Sequence, residues 1–147
     1  MISLYRVMTF LYQMIQLGEN QENASAVGCK ILSSDGSEII EAGSIVWQDG
    51  SCHGYGRGSK DTKATDLSYP RPVDYVSGTC LMIEHGIFSQ YGGFNHQVFP
   101  NYYEDTDLQM HVQHDLGKEV WLQPLAVAHH NEHATFGKEE SVALMQH

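Results

Sequence analysis

The chain has 147 residues, 41% of them hydrophobic and 18% charged, which is the composition of one folded domain and not of a disordered or collagen-like chain. Eight Lys and Arg against 18 Asp and Glu give a formal charge of −10, so general binding to a nucleic-acid backbone is disfavoured. No run of about 18 apolar residues is present, so we expect no transmembrane segment.

Three cysteines are widely spaced and form no C-x-x-C motif. Their number and spacing argue against a disulfide framework or a zinc knuckle. Scattered, reduced thiols favour a cytoplasmic protein. The inner face of a membrane is an alternative location.

The first 17 residues are rich in apolar side chains at helical spacing. These side chains are Leu4, Val7, Met8, Leu11, Met14 and Ile15. The i, i+3, i+4, i+7 pattern predicts an amphipathic helix that packs against the rest of the domain. A signal peptide ending near Ala24-Ser25-Ala26 is the alternative, although Arg6 and Gln13 interrupt the apolar run.

Short extended segments separated by turns follow this helix. The predicted segments are residues 26–32, 38–42 and 44–47. Residues 34–37 predict a hairpin turn, because Gly36 adopts a positive φ without steric cost. A second turn is expected at Asp49-Gly50.

Residues 51–72 carry no regular pattern, which predicts a functional loop or a disordered one. The Gly-rich string from Gly54 to Gly58 lacks the Lys-Ser/Thr of a P-loop, so a phosphate cradle is weakly supported. A flexible loop that closes over a substrate is the better interpretation.

Order is predicted to resume with a central strand over residues 73–83, in which Gly78 indicates a close approach of backbone or ligand. The remaining predicted elements are a helix at 84–91 ended by Gly92-Gly93, a loop at 94–101, a helix from about 106 to 114 ended by Gly117, a strand at 119–122 closed by Pro124, a short edge strand at 126–128 and a tail at 138–147. Asp105 or Thr106 is the expected N-cap of the second of these helices. Alternating strands and helices favour a layered α/β domain.

Glu104-Asp105-Thr106-Asp107 places three carboxylates within four residues at a predicted helix start. Capping of the helix N-terminus explains such a cluster without any function. The functional interpretation is a general base or a metal site. Both interpretations are open from the residues alone.

The string His129-His130-Asn131-Glu132-His133 follows a predicted strand end. Imidazoles and a carboxylate at this density suit a divalent cation, and solvated loop histidines are the alternative. The H-E-x-x-H spacing of a zinc protease is not present. Trp47, Tyr55 and Trp121 are expected in the core, with stacking on a sugar ring as the alternative.

Taken together, residues 5–137 resemble the C-terminal half of a family 2 glycosyltransferase, close to its rhamnosyltransferase-like branch. The matching strings are residues 27–32 with Asp35-Gly36, residues 41–47, Tyr55-Gly56-Arg57-Gly58, residues 73–83, Gly92-Gly93-Phe94, Tyr102-Tyr103-Glu104-Asp105-Thr106-Asp107-Leu108, and Gln123-Pro124 before Val127-Ala128-His129-His130. The Gly-Gly-Phe, Glu-Asp-x-Asp-Leu and Pro-x-x-x-x-His motifs in this order carry most of the resemblance. Residues 138–147 form a tail outside it.

The resemblance implies a partial GT-A fold, a Rossmann-like α/β sandwich whose mixed sheet has flanking helices and lacks the N-terminal donor-binding strands. It implies a nucleotide-sugar donor, a glycan or lipid-linked acceptor, and a divalent metal, Mg or Mn. Asp105 would be the catalytic base and Glu104 would support it or hold the acceptor. Ser77, Gly78 and Thr79 would line the sugar pocket, and His129 would lie near the metal or the diphosphate.

Three further residues complete the predicted substrate site, namely Asp74, Trp47 and Asp107. Nothing in the sequence matches the family's donor-side Asp-x-Asp motif, since Asp105-Thr106-Asp107 belongs to the Glu-Asp string. Asn95 also replaces the usual Asp after Gly-Gly-Phe.

The sequence therefore predicts the acceptor-side domain of an inverting glycosyltransferase that transfers a hexosyl or deoxyhexosyl group, inactive without a donor-binding half. The alternative is a truncated, non-catalytic module that binds carbohydrate or a partner. A His/Asp metal hydrolase is disfavoured, because no second ligand cluster has suitable spacing. An incomplete sheet would expose strand edges, so we expect a homo-oligomer or association with a complementing donor half.

Overall fold

The computed structural model describes residues 4–132. The elements in this range are α1 (Leu4–Asn20), β1 (Ala24–Ser33), β2 (Ile39–Glu41), β3 (Ser44–Val46), β4 (Cys52–Gly54), β5 (Arg71–Val73), β6 (Leu81–Ile83), α2 (His85–Tyr91), α3 (Glu104–His114) and β7 (Glu119–His130). Single 3-10 turns lie at Thr65–Leu67 and Gly78–Cys80. The predicted tail at 138–147 and His133 lie outside the described residues. None of the helices in the described range is long and apolar enough to cross a bilayer.

A mixed five-stranded sheet forms the centre of the domain. Strand β1 pairs in parallel with β7, and β5 pairs antiparallel on the other side of β7. Strands β2 and β6 both pair antiparallel with β1 at different points along its length. Strands β3 and β4 form a separate hairpin. The predicted α/β class with a mixed sheet and flanking helices is confirmed at this level.

The sheet separates two clusters of buried apolar side chains. Cluster one lies on the side of α2 and α3 and includes Val112 of α3, Val76, and Val120 and Leu122 of β7. Cluster two lies on the side of α1 and includes Met14 and Leu17 of that helix, with Val27, Cys29 and Ile31 of β1. Because the sheet is covered on both faces, nearly every residue of β1 is buried, and its burial pattern does not alternate.

The predicted N-terminal helix is confirmed as α1. Its buried residues, Met14 and Leu17, lie in its C-terminal half, and Phe10 is partly buried against the same cluster. Leu4 and Met8 in the first half are 77% and 61% exposed. The apolar stripe predicted the helix correctly, and part of that stripe has no partner among the described residues.

The predicted central strand over residues 73–83 is wrong. The segment is divided between two strands, because β5 pairs with β7 and β6 pairs with β1. Between them the chain turns at Ser77, whose side-chain Oγ accepts a hydrogen bond from the N–H of Thr79 at 3.2 Å. A serine cap therefore breaks an apolar run that the residue pattern presents as continuous.

The predicted end of the last strand at Pro124 is also wrong. Strand β7 runs without a break from Glu119 to His130 and is central in the sheet. Its pairing with β1 shifts between Gln123 and Val127, so Pro124 lies in an irregularity of the ladder. Proline is tolerated there because the position needs no ladder N–H.

The segment from 51 to 72 is more ordered than predicted. It contains β4, the turn at Thr65–Leu67 and the start of β5. The buried side chain of Lys30 holds it to the sheet, since Nζ donates to the carbonyl oxygen of Thr62 at 3.3 Å and to Ser68 Oγ at 3.2 Å. Burial lowers the pKa of Lys30, and the charge of Arg71 lowers it further.

The three cysteines are free thiols, and their surroundings predict different reactivities. Interaction with the adjacent Cys29 thiol lowers the pKa of Cys80, whereas burial raises that of Cys52. The same interaction and burial raise the pKa of Cys29.

We expect iodoacetamide to modify Cys80 first near pH 7, because the thiolate is the reactive form. Peptide mass spectrometry over time measures the order, and Cys29→Ala should slow the reaction of Cys80. Faster modification of Cys52 would contradict this.

Candidate functional site

An unusual backbone precedes the carboxylate cluster. Helix α3 begins at Glu104, and the residue before it, Tyr103, has a left-handed φ of 67°. Tyr102 has a φ of 64°, so two successive aromatic residues adopt a conformation that costs about 1–2 kcal/mol each. The predicted N-caps Asp105 and Thr106 are wrong, because both residues lie in the first turn and no side chain caps this helix. Their side chains are thus not required to close the helix end.

A cleft of about 480 Å³ lies at this helix start. Its wall is built from the turn at residues 77–79, the start of α3, the β4 region and the C-terminal end of β7. The predicted site residues that line it are Ser77, Gly78, Thr79, Glu104 and Asp105. A volume of this size accommodates a small ligand or one part of a larger one.

The carboxylate of Asp105 is held by backbone N–H groups inside the cleft. Oδ2 accepts a hydrogen bond from the N–H of Gly78 at 2.6 Å, and Oδ1 accepts one from the N–H of Thr106 at 2.8 Å. A Cβ at position 78 would lie 3.1 Å from the Cβ of Asp105. The close approach predicted for Gly78 is therefore, in this structure, an approach to the side chain of Asp105.

Glu41 is a second carboxylate of the cleft, which the sequence pattern did not single out. Its side chain is buried, and Oε1 accepts a hydrogen bond from the N–H of Ser77 at 2.8 Å. Successive N–H groups, those of Ser77 and Gly78, thus bind the carboxylates of Glu41 and Asp105. Burial raises the pKa of Glu41 to about 7, and the negative charge of Asp105 contributes to the rise.

Glu104 adds a third carboxylate to the cleft. Its Oε2 atom is buried and has no hydrogen-bond partner within residues 4–132. A buried carboxylate oxygen without a donor is costly, and a ligand hydroxyl or amide would satisfy it.

A positive charge, that of Arg57, also lines the cleft. Arg57 Nη2 lies 2.7 Å from Glu132 Oε1, and Nη1 donates to the carbonyl oxygen of Ile40 at 3.3 Å. Both Arg57 and Glu132 line the cleft. Arg57 belongs to the Tyr-Gly-Arg-Gly string, but no local feature of that string shows that its side chain reaches the cleft.

Three other predicted substrate residues lie outside the lining of the cleft. The carboxylate of Asp74 accepts a hydrogen bond from the N–H of Val46 at 2.9 Å and thereby holds the β3 strand. Asp107 accepts a hydrogen bond from the hydroxyl of Tyr91 at 2.6 Å. Trp47 is 55% exposed, so it belongs neither to the core nor to the cleft wall.

The predicted metal ligand His129 also lies away from the cleft. Its Nδ1 is 3.2 Å from the carbonyl oxygen of Ser33, whereas the neighbouring His130 lines the cleft. Alternation of side chains along β7 explains this, because successive residues point to opposite faces. Among residues 4–132, no three His, Cys, Asp or Glu side chains are grouped closely enough to hold a metal ion. The divalent cation therefore stays a prediction.

Comparison with known proteins shows which proteins this chain is similar to. No protein-family model matches the chain. The chain is 41% identical over 81 residues to N-acetylglucosaminyl-diphospho-decaprenol L-rhamnosyltransferase of Mycobacterium tuberculosis, in both strain CDC 1551 and strain H37Rv. The match covers 52% of this chain and 24% of the relative's length. The chain is thus a partial homologue of a rhamnosyltransferase, which supports the predicted glycosyltransferase relationship.

Replacement of Glu41 by Gln tests the electrostatics of the cleft. The unfolded carboxyl titrates near its ordinary value of 4.5, and the folded one near 7. Ionisation is therefore opposed only in the folded state, and stability falls as the pH rises from 4.5 through 7. We expect the free energy of unfolding of the native chain, relative to that of Glu41→Gln, to decrease by about 3 kcal/mol over this range.

Urea denaturation at several pH values between 4.5 and 8 measures this difference. Glu38→Gln is the matched control, because Glu38 is a partly exposed glutamate in a surface ion pair with Lys60. It should show a much smaller dependence on pH. A pH-independent difference for Glu41→Gln would contradict the burial of an ionisable carboxyl at this position.

Proposed function

We propose that this chain forms the acceptor side of an inverting glycosyltransferase, with Asp105 as the general base. The observation that supports this most is the carboxylate of Asp105, held at 2.6 Å by the Gly78 N–H inside a cleft of about 480 Å³. The partial homology to a rhamnosyltransferase agrees with it. The group transferred would be a hexosyl or deoxyhexosyl unit from a nucleotide sugar.

Asp105 has the geometry that a general base in such a reaction needs. Its carboxylate oxygens each accept a backbone N–H and retain lone pairs for an acceptor hydroxyl. The hydroxyl proton would pass to Asp105 while the hydroxyl oxygen attacks the anomeric carbon. The bond from that carbon to the diphosphate breaks on the opposite face, and the electron pair leaves with the diphosphate.

Glu104 and Arg57, which both line the cleft, would bind the acceptor. The unpartnered Oε2 of Glu104 would accept a hydrogen bond from a sugar hydroxyl. Arg57 would exchange its surface partner Glu132 for a diphosphate group, because a guanidinium binds phosphate oxygens in a bidentate manner. The relative's name specifies an acceptor in which a sugar is joined to a lipid by a diphosphate, and such an acceptor fits this arrangement.

Replacement of Asp105 by Asn should remove transfer and leave acceptor binding. The probe is N-acetylglucosaminyl diphosphate with a short prenyl tail, titrated into the labelled chain and followed by NMR at Gly78 and Thr79. We expect saturable shifts in the native chain and, for Asp105→Asn, an affinity within a few-fold of native. Transfer from a nucleotide sugar, assayed with a complementing donor-binding half added, should fall about 100- to 10,000-fold.

Asp115→Asn is the control, since Asp115 is an exposed carboxylate at the other end of α3. Retained transfer by Asp105→Asn would remove the role assigned to this residue. Binding of the probe by a native chain that transfers no sugar even with the donor-binding half added would favour the alternative, a non-catalytic carbohydrate-binding module.

A further inference from the structure

Three polar side chains form a stripe along one face of α3. They are Asp105, Gln109 and Gln113, spaced four residues apart. Each bonds the backbone of residues 74–78, a segment that ends in the turn at Ser77 and Gly78. Asp105 accepts from the N–H of Gly78, Gln109 bonds both the N–H and the carbonyl of Val76, and Gln113 donates to the carbonyl of Asp74.

The spacing of these contacts follows from the geometry of a helix beside an extended chain. Four residues of α-helix rise about 6.0 Å. Two residues of extended chain rise about 6.6 Å. Each turn of α3 therefore meets every second residue of the segment, in antiparallel order. A shift of the helix by one residue would break all three contacts together.

Gln109 occupies the centre of this stripe and is fully buried, with 0% of its surface exposed. Its Oε1 accepts from the N–H of Val76 at 2.9 Å, and its Nε2 donates to the carbonyl of Val76 at 2.8 Å. Nε2 also donates to the carbonyl of Asp105 at 2.9 Å. A primary amide is suited to this position because it offers an acceptor and two donors in one group.

We propose that Gln109 is a positioning residue for Asp105. Its hydrogen bonds fix α3 relative to Val76 so that the carboxylate of Asp105 meets the N–H of Gly78. The inference rests on the proposed function for its catalytic consequence. The structural part depends only on the hydrogen bonds by which the side-chain amide of Gln109 connects the carbonyl of Val76 to that of Asp105. A merely stabilising role would predict a lower stability of Gln109 variants with an unchanged carboxylate position.

The test observes the Gly78 amide proton by NMR in the labelled chain. A hydrogen bond to a carboxylate displaces this proton downfield, and Asp105→Asn gives the reference for a weakened bond. We expect Gln109→Met, which keeps side-chain length without an amide, to move the proton upfield by at least half of the displacement seen in Asp105→Asn. The shift is measured on folded molecules, so a loss of stability alone does not produce it.

Gln123→Met is the matched control. Gln123 is another buried glutamine, and it bonds the carbonyl of Gln13 and the N–H of Leu125, away from α3. Its replacement should lower stability and leave the Gly78 proton in place. If Gln109→Met does not fold, Gln113→Met removes the neighbouring contact and should shift the proton in the same direction.

An unmoved Gly78 proton in Gln109→Met, or in Gln113→Met if only that variant folds, would overturn the proposal. Equal displacement in the Gln123→Met control would also overturn it. In the transfer assay we expect kcat to fall about ten- to a hundredfold with KM within about twofold. If the native chain shows no transfer even with the donor-binding half added, the proposed function fails, while the NMR result still decides whether Gln109 positions Asp105.

Discussion

The parallel pairing of β1 with β7 is the constraint on which the rest of the structure depends. It runs from Ala24 and Glu119 at one end to Ser33 and His130 at the other. Because the pair is buried on both faces, it separates the core beneath α1 from the core beneath α2 and α3. It also brings His130 and Glu132 to the same cleft as residues about 90 positions earlier in the chain.

The turn at Ser77 and Gly78 connects this sheet to the chemistry of the cleft. Its successive N–H groups bind Glu41, from the edge strand β2, and Asp105, from α3. Two carboxylates held this close repel each other, and the burial of Glu41 adds to the cost of ionising both. The backbone strain at Tyr102 and Tyr103 lies beside the same turn. Strain and buried charge concentrate where a ligand would bind, which is typical of a functional site.

Features set by neighbouring residues could be predicted from the sequence. Gly92 ends α2 in the left-handed conformation, as the Gly-Gly pair indicates. Gly36 has a φ of 74° in the turn between β1 and β2. The Glu-Asp string marked Glu104 and Asp105, and both line the cleft. In each case the deciding information lies within a few residues of the position.

Features set by distant partners could not be predicted in this way. Glu41 has the polar character of a surface residue, and only the pairing of β2 with β1 buries it. Helix α3 is polar at Gln109 and Gln113, so its pattern conceals the face that binds the segment at 74–78. A polar stripe can be buried when its side chains are hydrogen-bonded. The hydrophobic periodicity of the sequence does not reveal such a buried face.

The sequence by itself determined the helices α1 and α2, the buried strand β1, the tight turns and the adjacent carboxylates of Glu104 and Asp105. Each of these depends on local periodicity or on the φ preference of a single residue. The tertiary structure alone decided that the chain from 71 to 83 serves two different strands, that β7 continues past Pro124, and that His130 and not His129 faces the cleft. Strand pairing decides these points, because the partner of a strand lies far away in the chain and a shift of one residue reverses which side chains face the site.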